Sequence, residues 1–285
     1  MNCRHCSTPL RHVFLDLGSA PPSNAYLNEE QLHQAELYFP LKLYVCDNCW
    51  LVQTVDYLGA DKLFRSDYAY YSSISSSWLD HAARYAKMIT NRLNLDQNSF
   101  VIEVAANDGY LLKNFVASGI PCLGIEPTGG TADAAEKAGV PILREFFGRR
   151  LAEQLQDDGK QADLLIGNNV LAHVPDINDF CAGLKATLKP NGIITLEFPH
   201  LMRLIERTQF DTVYHEHYSY LSLHVVARIF AAAGLRVFDA EELPTHGGSL
   251  RVYGCHAEDS RQETVVINTL LHEEKRRGLL SAKVT

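Results

Sequence analysis

The chain has no apolar run near the roughly 20 residues that a bilayer-crossing helix needs, and its opening, MNCRHCSTPL, lacks the hydrophobic core of a secretory signal. Both absences argue against a membrane protein, and a cytoplasmic location is the expectation. Positive charge is also short: 26 basic residues face 34 acidic ones, for a formal net charge of −8. That balance counts against broad contact with nucleic-acid phosphates and leaves a small molecule as the expected partner. There is no internal repeat and no low-complexity tract. In a reducing compartment the seven cysteines are expected to be thiols or metal ligands.

What is present is first a pair of CxxC units, Cys3 with Cys6 and Cys46 with Cys49. Each unit lets two thiolates from one turn reach one tetrahedral ion, and four such ligands leave no open position, as in a structural Zn²⁺ site. The competing reading is four reduced cysteines with no metal. The 39 residues between Cys6 and Cys46 exceed the common spacing of about 15–20, so the intervening chain is expected to form its own lobe. His5 and His12 read as solvated neighbours. Cys122, Cys181 and Cys255 lie within strand or helix patterns and read as core.

An aromatic and serine-rich connection follows, with Phe64, Tyr68, Tyr70 and Tyr71 before a run of serines. Next, Trp78, Ala82, Tyr85, Ile89 and Leu93 recur at helical spacing after a serine cap. Residues 100–112 then read as a buried strand, a tight turn at Asn107-Asp108-Gly109 and the start of a helix. Strands at 121–126, 141–147, 162–169 and 193–198 alternate with helices at 131–138, 149–155 and 176–188. Such alternation means a parallel sheet with helices on both faces. A helix at 223–233 leads to strands at 235–241 and 248–253, and their short link predicts an antiparallel hairpin at the sheet edge. The expected fold class is therefore α/β, seven-stranded, with a small N-terminal metal lobe. The expected organisation is a zinc lobe over 1–60, a linker and lead-in helix over 61–98, the α/β core over 99–257, and the start of a further region over 258–285, whose charged stretch 272–285 reads as helical.

In open α/β sheets, ligands bind beyond the carboxyl ends of the strands. A dinucleotide would call for three glycines in the first turn, to let backbone approach a pyrophosphate; here the turn is Ala105-Ala106-Asn107-Asp108-Gly109, with one. A cationic cofactor without phosphate suits Glu103 better, and Glu126, ending the second strand, can take two ribose hydroxyls. S-adenosylmethionine is such a cofactor, and the hairpin-edged sheet resembles that of the class I methyltransferases. The expected cofactor residues are Glu103, Ala105, Asn107, Asp108, Gly109 and Glu126, joined by Asn168 and Asn169 at the end of the fourth strand.

The densest cluster of acid–base groups is Tyr214-His215-Glu216-His217-Tyr218. In an extended chain Tyr214, Glu216 and Tyr218 would share one face and His215 and His217 the other, so the set cannot aim at one atom without a turn. The spacing is not that of a zinc protease motif. A metal site from His215 and His217 stays open but lacks a third ligand, and a polar connection whose histidines bond to backbone is the plain alternative. His173, just past the fourth strand, is expected to overlook the reactive end of the cofactor. O-methylation needs little beyond positioning and a base. Alkylating carbon requires a proton to be taken beside a carbonyl and the enolate to be held, which a His/Tyr/Glu cluster fits.

The two CxxC units, Tyr68-Ala-Tyr-Tyr-Ser-Ser73, Glu103-Val-Ala-Ala-Asn-Asp-Gly109, Ala172-His-Val-Pro175, Tyr214-His-Glu-His-Tyr218 and His246-Gly-Gly-Ser-Leu-Arg-Val252 occur in one order along nearly the whole chain. Together they resemble the zinc-containing sugar C-methyltransferases, which methylate carbon 3 of nucleotide-linked 4-keto-deoxysugars. The resemblance implies His217 as base, Tyr214 and Glu216 as its partners or substrate contacts, Tyr68 and His173 around the keto sugar, and His246-Gly247-Gly248 as a substrate-side loop. It also implies a nucleotide-sugar substrate, dTDP being the expected carrier. Family members continue into a C-terminal nucleotide-binding-like domain. This chain stops where that domain would begin, so the expectation is either a monomer with weakened substrate binding or pairing with a chain that supplies the absent half. Other expectations kept beside this one are O- or N-methylation of a different small molecule, and a non-catalytic cofactor- and zinc-binding subunit.

Overall fold

The computed structural model describes residues 1–57, 59, 63 and 69–281. In the N-terminal lobe, β1 (His12–Ala20), β2 (Phe39–Val45) and β3 (Val52–Thr54) form an antiparallel meander, with Leu41, Leu43 and Val52 in its core. Ser75 then caps helix α1 (Ser76–Leu93) by accepting from the Trp78 amide. The helix ends where Asn94 turns left-handed at φ 52°, a conformation asparagine tolerates. Its buried face carries Trp78, Ala82, Tyr85, Ala86 and Ile89, the stripe that the sequence spacing predicts.

The core follows as β4 (Val101–Val104), α2 (Leu112–Ala117), β5 (Cys122–Ile125), α3 (Gly129–Lys137), β6 (Ile142–Leu143), α4 (Arg149–Asp157), β7 (Ala162–Asn168), α5 (Ile177–Thr187), β8 (Leu188–Pro199), α6 (Leu201–Glu206), β9 (Ser219–Tyr220), α7 (Leu223–Ala232), β10 (Leu235–Leu243), β11 (Ser249–His256) and α8 (Val265–Arg276). Seven strands make one sheet in the order β10-β11-β8-β7-β4-β5-β6, with strands 4 to 8 parallel and β11 antiparallel to both its neighbours. The order reverses between β4 and β7, which opens a crevice at their carboxyl ends. β9 leaves this sheet and pairs with β3, so the lobe has four strands in the order β1-β2-β3-β9. Among the described helices, none is long and apolar enough to cross a membrane.

Three local readings change in the structure. The strand expected over 141–147 is two residues long: the chain turns after Leu143, and Glu145, Phe146 and Phe147 leave the sheet to line the crevice. The turn at 189–192 lies inside β8 as an irregularity, since Leu188 pairs with Ala162 and Ile193 with Leu164. The hairpin expected at the edge is there, but its second strand turns inward against β8, leaving β10 outermost.

Helix α8 begins at Val265, ahead of the charged stretch 272–285, and is held by a buried carboxylate. Glu274 accepts from the Leu223 amide (2.6 Å) and the His224 amide (2.9 Å) in the first turn of α7, and its Oε1 lies 2.7 Å from His200 Nε2. Burial opposes charge on His200, but Glu242 and Glu274 outweigh it and raise its pKa. The arrangement satisfies two orphan helix donors with the charge sign that the helix dipole favours. Glu274→Ala strands those donors and the imidazole in a buried site, so urea denaturation should show a loss of about 3–5 kcal/mol.

Candidate active site and metal centre

Each CxxC unit is built in the same way. Ser7 N donates to Cys3 O and Cys3 N to Thr8 O; Trp50 N donates to Cys46 O and Cys46 N to Leu51 O. The residue after each unit, Ser7 or Trp50, has positive φ, 60° or 66°. These turns bring Cys3 Sγ to 3.5 Å from Cys49 Sγ and Cys6 Sγ to 3.5 Å from Cys46 Sγ, with all four sulfurs within 4.8 Å of one another. Tetrahedral Zn–S bonds of about 2.3 Å place sulfurs about 3.8 Å apart, so the four thiolates fit one ion. It is the only such ligand group among the described residues. His5 is bonded to Asn178 and His12 faces Asp47, so neither replaces a cysteine.

The lobe so fixed holds the 214–220 stretch. Besides the pairing of Val52 with Tyr220 and Gln53 with Ser219, Thr54 donates its amide to Tyr218 O (3.1 Å) and its hydroxyl to His217 O (3.3 Å). His215 turns away from His217, with its Nε2 3.2 Å from Phe39 O. The two histidines therefore do not converge on a metal. Glu216 reaches the segment after β1, where its Oε1 accepts from Asn24 Nδ2 (2.7 Å) and Ser23 Oγ (3.1 Å).

The turn that an alternating pattern would need is there: His217 N donates to Tyr214 O across His215 and Glu216. It brings the Tyr214 and His217 rings together, centroids 4.1 Å apart and planes tilted by 32°, and sets Tyr214 Oη 2.8 Å from His217 Nε2. His217 Nδ1 lies 3.0 Å from Thr212 O, which can only accept, so Nδ1 carries the proton and Nε2 the lone pair. Burial, reinforced by His173, drives the His217 pKa well below its usual value. His173 meets the His217 ring edge-on at 4.6 Å and is itself pushed down to about 4 by burial. Burial raises Tyr214, so its hydroxyl keeps its proton and donates to Nε2.

These groups face a cavity of about 400 Å³ at the carboxyl ends of the central strands. Its wall includes Tyr214, Glu216, His217 and His173, and on the other side Ala105, Asn107, Glu126, Asn168 and Asn169. Glu103, Asp108 and Gly109 stand behind that wall. Glu103 is fully buried, and burial holds its carboxyl well above the usual range; neither oxygen has a partner at hydrogen-bond geometry among the described residues. Gly109 takes φ 75°, and a Cβ there would lie 3.0 Å from Val140 Cγ2 and 3.2 Å from Ala135 Cα, so its smallness serves packing against α3. Glu126 is already engaged: Oε1 accepts from Thr128 N and Oγ1, which fills it, and Oε2 accepts from Asn107 N and keeps one lone pair. Tyr68 lies outside the described residues.

Several wall residues had no sequence signal pointing to them. Asn24 comes from the lobe, 192 residues from its partner Glu216. Trp78 fits the apolar stripe of α1, yet its indole lines the cavity between His81 (4.9 Å) and His246 (4.9 Å). Thr245 and His81 both bind Glu197, buried with Arg251 (2.6 Å), so one carboxylate steadies the turn that carries His246. His246, in left-handed backbone at φ 48°, meets Asn169 at 3.1 Å.

A cationic cofactor fits this donor set. Asn168 Oδ1 and Asn169 Oδ1 are buried acceptors without hydrogen-bond partners among the described residues, and Glu126 Oε2 keeps a lone pair for a hydroxyl. Strand order, crevice and acidic cofactor wall together define the class I S-adenosylmethionine-dependent methyltransferase fold. Residues 78–240 match the family described as "Methyltransferase domain", and the chain belongs to that family; residues 3–64 match one described as a zinc binding domain. The chain is 31% identical over 277 residues to the C-methyltransferase NovU of Streptomyces niveus, an alignment that covers 97% of this chain and 66% of that protein, so it spans just under two thirds of that relative's length. The crystal structure of the PH0226 protein from Pyrococcus horikoshii OT3 is similar at a TM-score of 0.50 and 13% identity, over 66% of this chain and 94% of that one. At that identity the likeness shows the fold alone.

Because the lobe holds the 214–220 stretch, stripping the metal with a chelator should loosen both. Structural zinc contributes about 10–16 kcal/mol in small zinc modules, so hydrogen exchange should rise across 39–54 and 214–220 together. Exchange confined to the lobe would show that the stretch stands without it.

Proposed function

We propose that the protein is a carbon methyltransferase acting on a nucleotide-linked 4-keto-deoxysugar, with His217 taking the proton from carbon 3. One observation carries this reading: a buried, neutral imidazole whose tautomer Thr212 O fixes, so that its lone pair lies beside a tyrosine hydroxyl in the cavity wall. A base poised in its neutral form, next to a donor that keeps its proton, is what carbon deprotonation beside a ketone requires and simple O-methylation does not. The similarity to a C-methyltransferase over 97% of the chain supports the same reaction class.

In this reading the keto sugar displaces the Tyr214 hydroxyl from His217. The C3–H bond breaks, its proton goes to Nε2, and its electron pair moves onto the C4 oxygen as an enolate. Tyr214 then donates to that oxygen, and His173 borders it from the adjoining wall; such a donor stabilises the charge where it develops. Glu216, fixed by Ser23 and Asn24, orients the turn between Tyr214 and His217. Glu126, Asn168, Asn169 and the backbone of 105–107 hold the cofactor, with Glu103 and Gly109 supporting that wall from behind. S-adenosylmethionine held there would supply the electrophilic methyl group to carbon 3, its sulfur leaving with the C–S electron pair as S-adenosylhomocysteine. The cysteine-bound metal shapes the lobe and stays outside the reaction.

In deuterium oxide the enzyme should exchange the hydrogen at carbon 3, and His217→Asn should slow exchange by at least about 100-fold. Exchange that ignores the substitution rules His217 out as the base. A methyl group found on oxygen by NMR of the product would favour the O-methylation alternative.

The pH profile has a definite sign. The active forms of His217 and His173 are deprotonated, and both pKa values are lowered from about 6.5. Hence kcat/KM should stay level through neutral pH and decline only well below the ordinary imidazole value of about 6.5. An acid limb centred above 7 would contradict the buried-neutral assignment.

A further inference from the structure

The loop 105–109 is read from sequence as the cofactor turn, yet the Asn107 amide and one oxygen of Asp108 are occupied elsewhere. Asn107 uses both ends of its amide on the backbone of the segment before α1: Oδ1 accepts from Ser72 N at 2.9 Å, and Nδ2 donates to Tyr70 O at 3.1 Å. Asp108 Oδ2 accepts from Ser73 N at 2.9 Å. The pattern imitates one rung of strand pairing and extends it by a charged bond, which is stronger than a neutral one. It fastens the strap 70–73 across the turn, and Tyr70 and Ser72 of that strap line the cavity.

The same turn is anchored below. The Asn107 amide donates to Glu126 Oε2, and Asn107 sits in left-handed backbone at φ 50°. One residue thus connects the acid on the cofactor side to the strap that closes the cavity on another. Asp108 does not line the cavity, and its carboxylate points to the strap. Of the turn, Ala105 and Asn107 line the cavity, and the Asn107 side chain is already engaged by the strap.

The structure assigns Asn107 and Asp108 as positioning residues for the 70–73 strap, through which the cofactor turn sets the placement of Tyr70 in the substrate cavity. They act on the acceptor side of the reaction, a consequence that rests on the keto-sugar reading above; their grip on the strap does not.

The test separates the two. In Asn107→Gly/Asp108→Ala, glycine retains the left-handed backbone while both side-chain grips are lost. Hydrogen-exchange mass spectrometry on the strap peptide should show the Ser72 and Ser73 amides exchanging at least about tenfold faster, the factor expected for losing bonds of this kind. Calorimetry with S-adenosylhomocysteine should show its Kd within about threefold of the parent, since one such bond to the ligand would be worth more. Asp108→Asn keeps an acceptor and should restore protection at Ser73. Ser73→Pro removes the donor from the strap side, leaves the cofactor turn intact, and should free the Ser72 amide in the same way; it carries the test if the double variant does not fold. With a keto-sugar acceptor, KM should rise in both variants while the cofactor constant holds. A weakened S-adenosylhomocysteine Kd with unchanged strap exchange would overturn the assignment and make the pair cofactor ligands. Faster strap exchange with no turnover of any keto sugar by the parent enzyme would sustain the assignment and count against the substrate reading.

Discussion

Two residue pairs, Val52 with Tyr220 and Gln53 with Ser219, join a metal-held lobe to the chain that carries Tyr214 and His217. A strand of two residues is too short to be stable by itself. It persists because the lobe beyond it is fixed by four sulfurs and because Thr54 adds two further bonds to the carbonyls of His217 and Tyr218. Since the Tyr214–His217 turn has no helix or long strand of its own, its geometry is borrowed from the lobe. The metal centre and the cavity are therefore one mechanical system, although no metal ligand lines the cavity.

The electrostatics of the cavity divide in two. On the strand side stand carboxylates, Glu103 and Glu126, with Glu197 behind them; each is buried, and they differ in what satisfies them. Backbone and a threonine serve Glu126, Arg251 and His81 serve Glu197, and Glu103, beside the Tyr110 hydroxyl, is kept neutral by burial. On the lobe side stand imidazoles kept neutral by burial, His173 and His217. Hydrogen-bond acceptors are presented on the first side and a proton acceptor is preserved on the second. The low dielectric that makes an unpaired acid costly also keeps the imidazoles from charging.

Much of this was legible in the chain. Alternating strand and helix patterns predict the doubly wound sheet, because burial on both faces leaves continuous apolar runs such as Phe100-Val101-Ile102. The CxxC spacing predicts the four-sulfur site, since a two-residue spacer suffices to aim two thiolates at one ion. The poverty of glycine in the 105–109 turn and its acid point away from a dinucleotide. Less legible were the short β6 and the inward β11, because strand length and order at a sheet edge depend on what covers them.

The sequence by itself determined the fold, the metal ligands and the kinds of group available for chemistry, because periodicity and ligand spacing act within a few residues of chain. Only the tertiary structure decided which groups meet. Asn24 joins Glu216 across 192 positions, Trp78 turns from core stripe to cavity wall, and Asn107 and Asp108 face a strap 35 residues earlier. Such pairings depend on how the lobe and sheet pack together, and long-range packing leaves no local periodic signal in the chain.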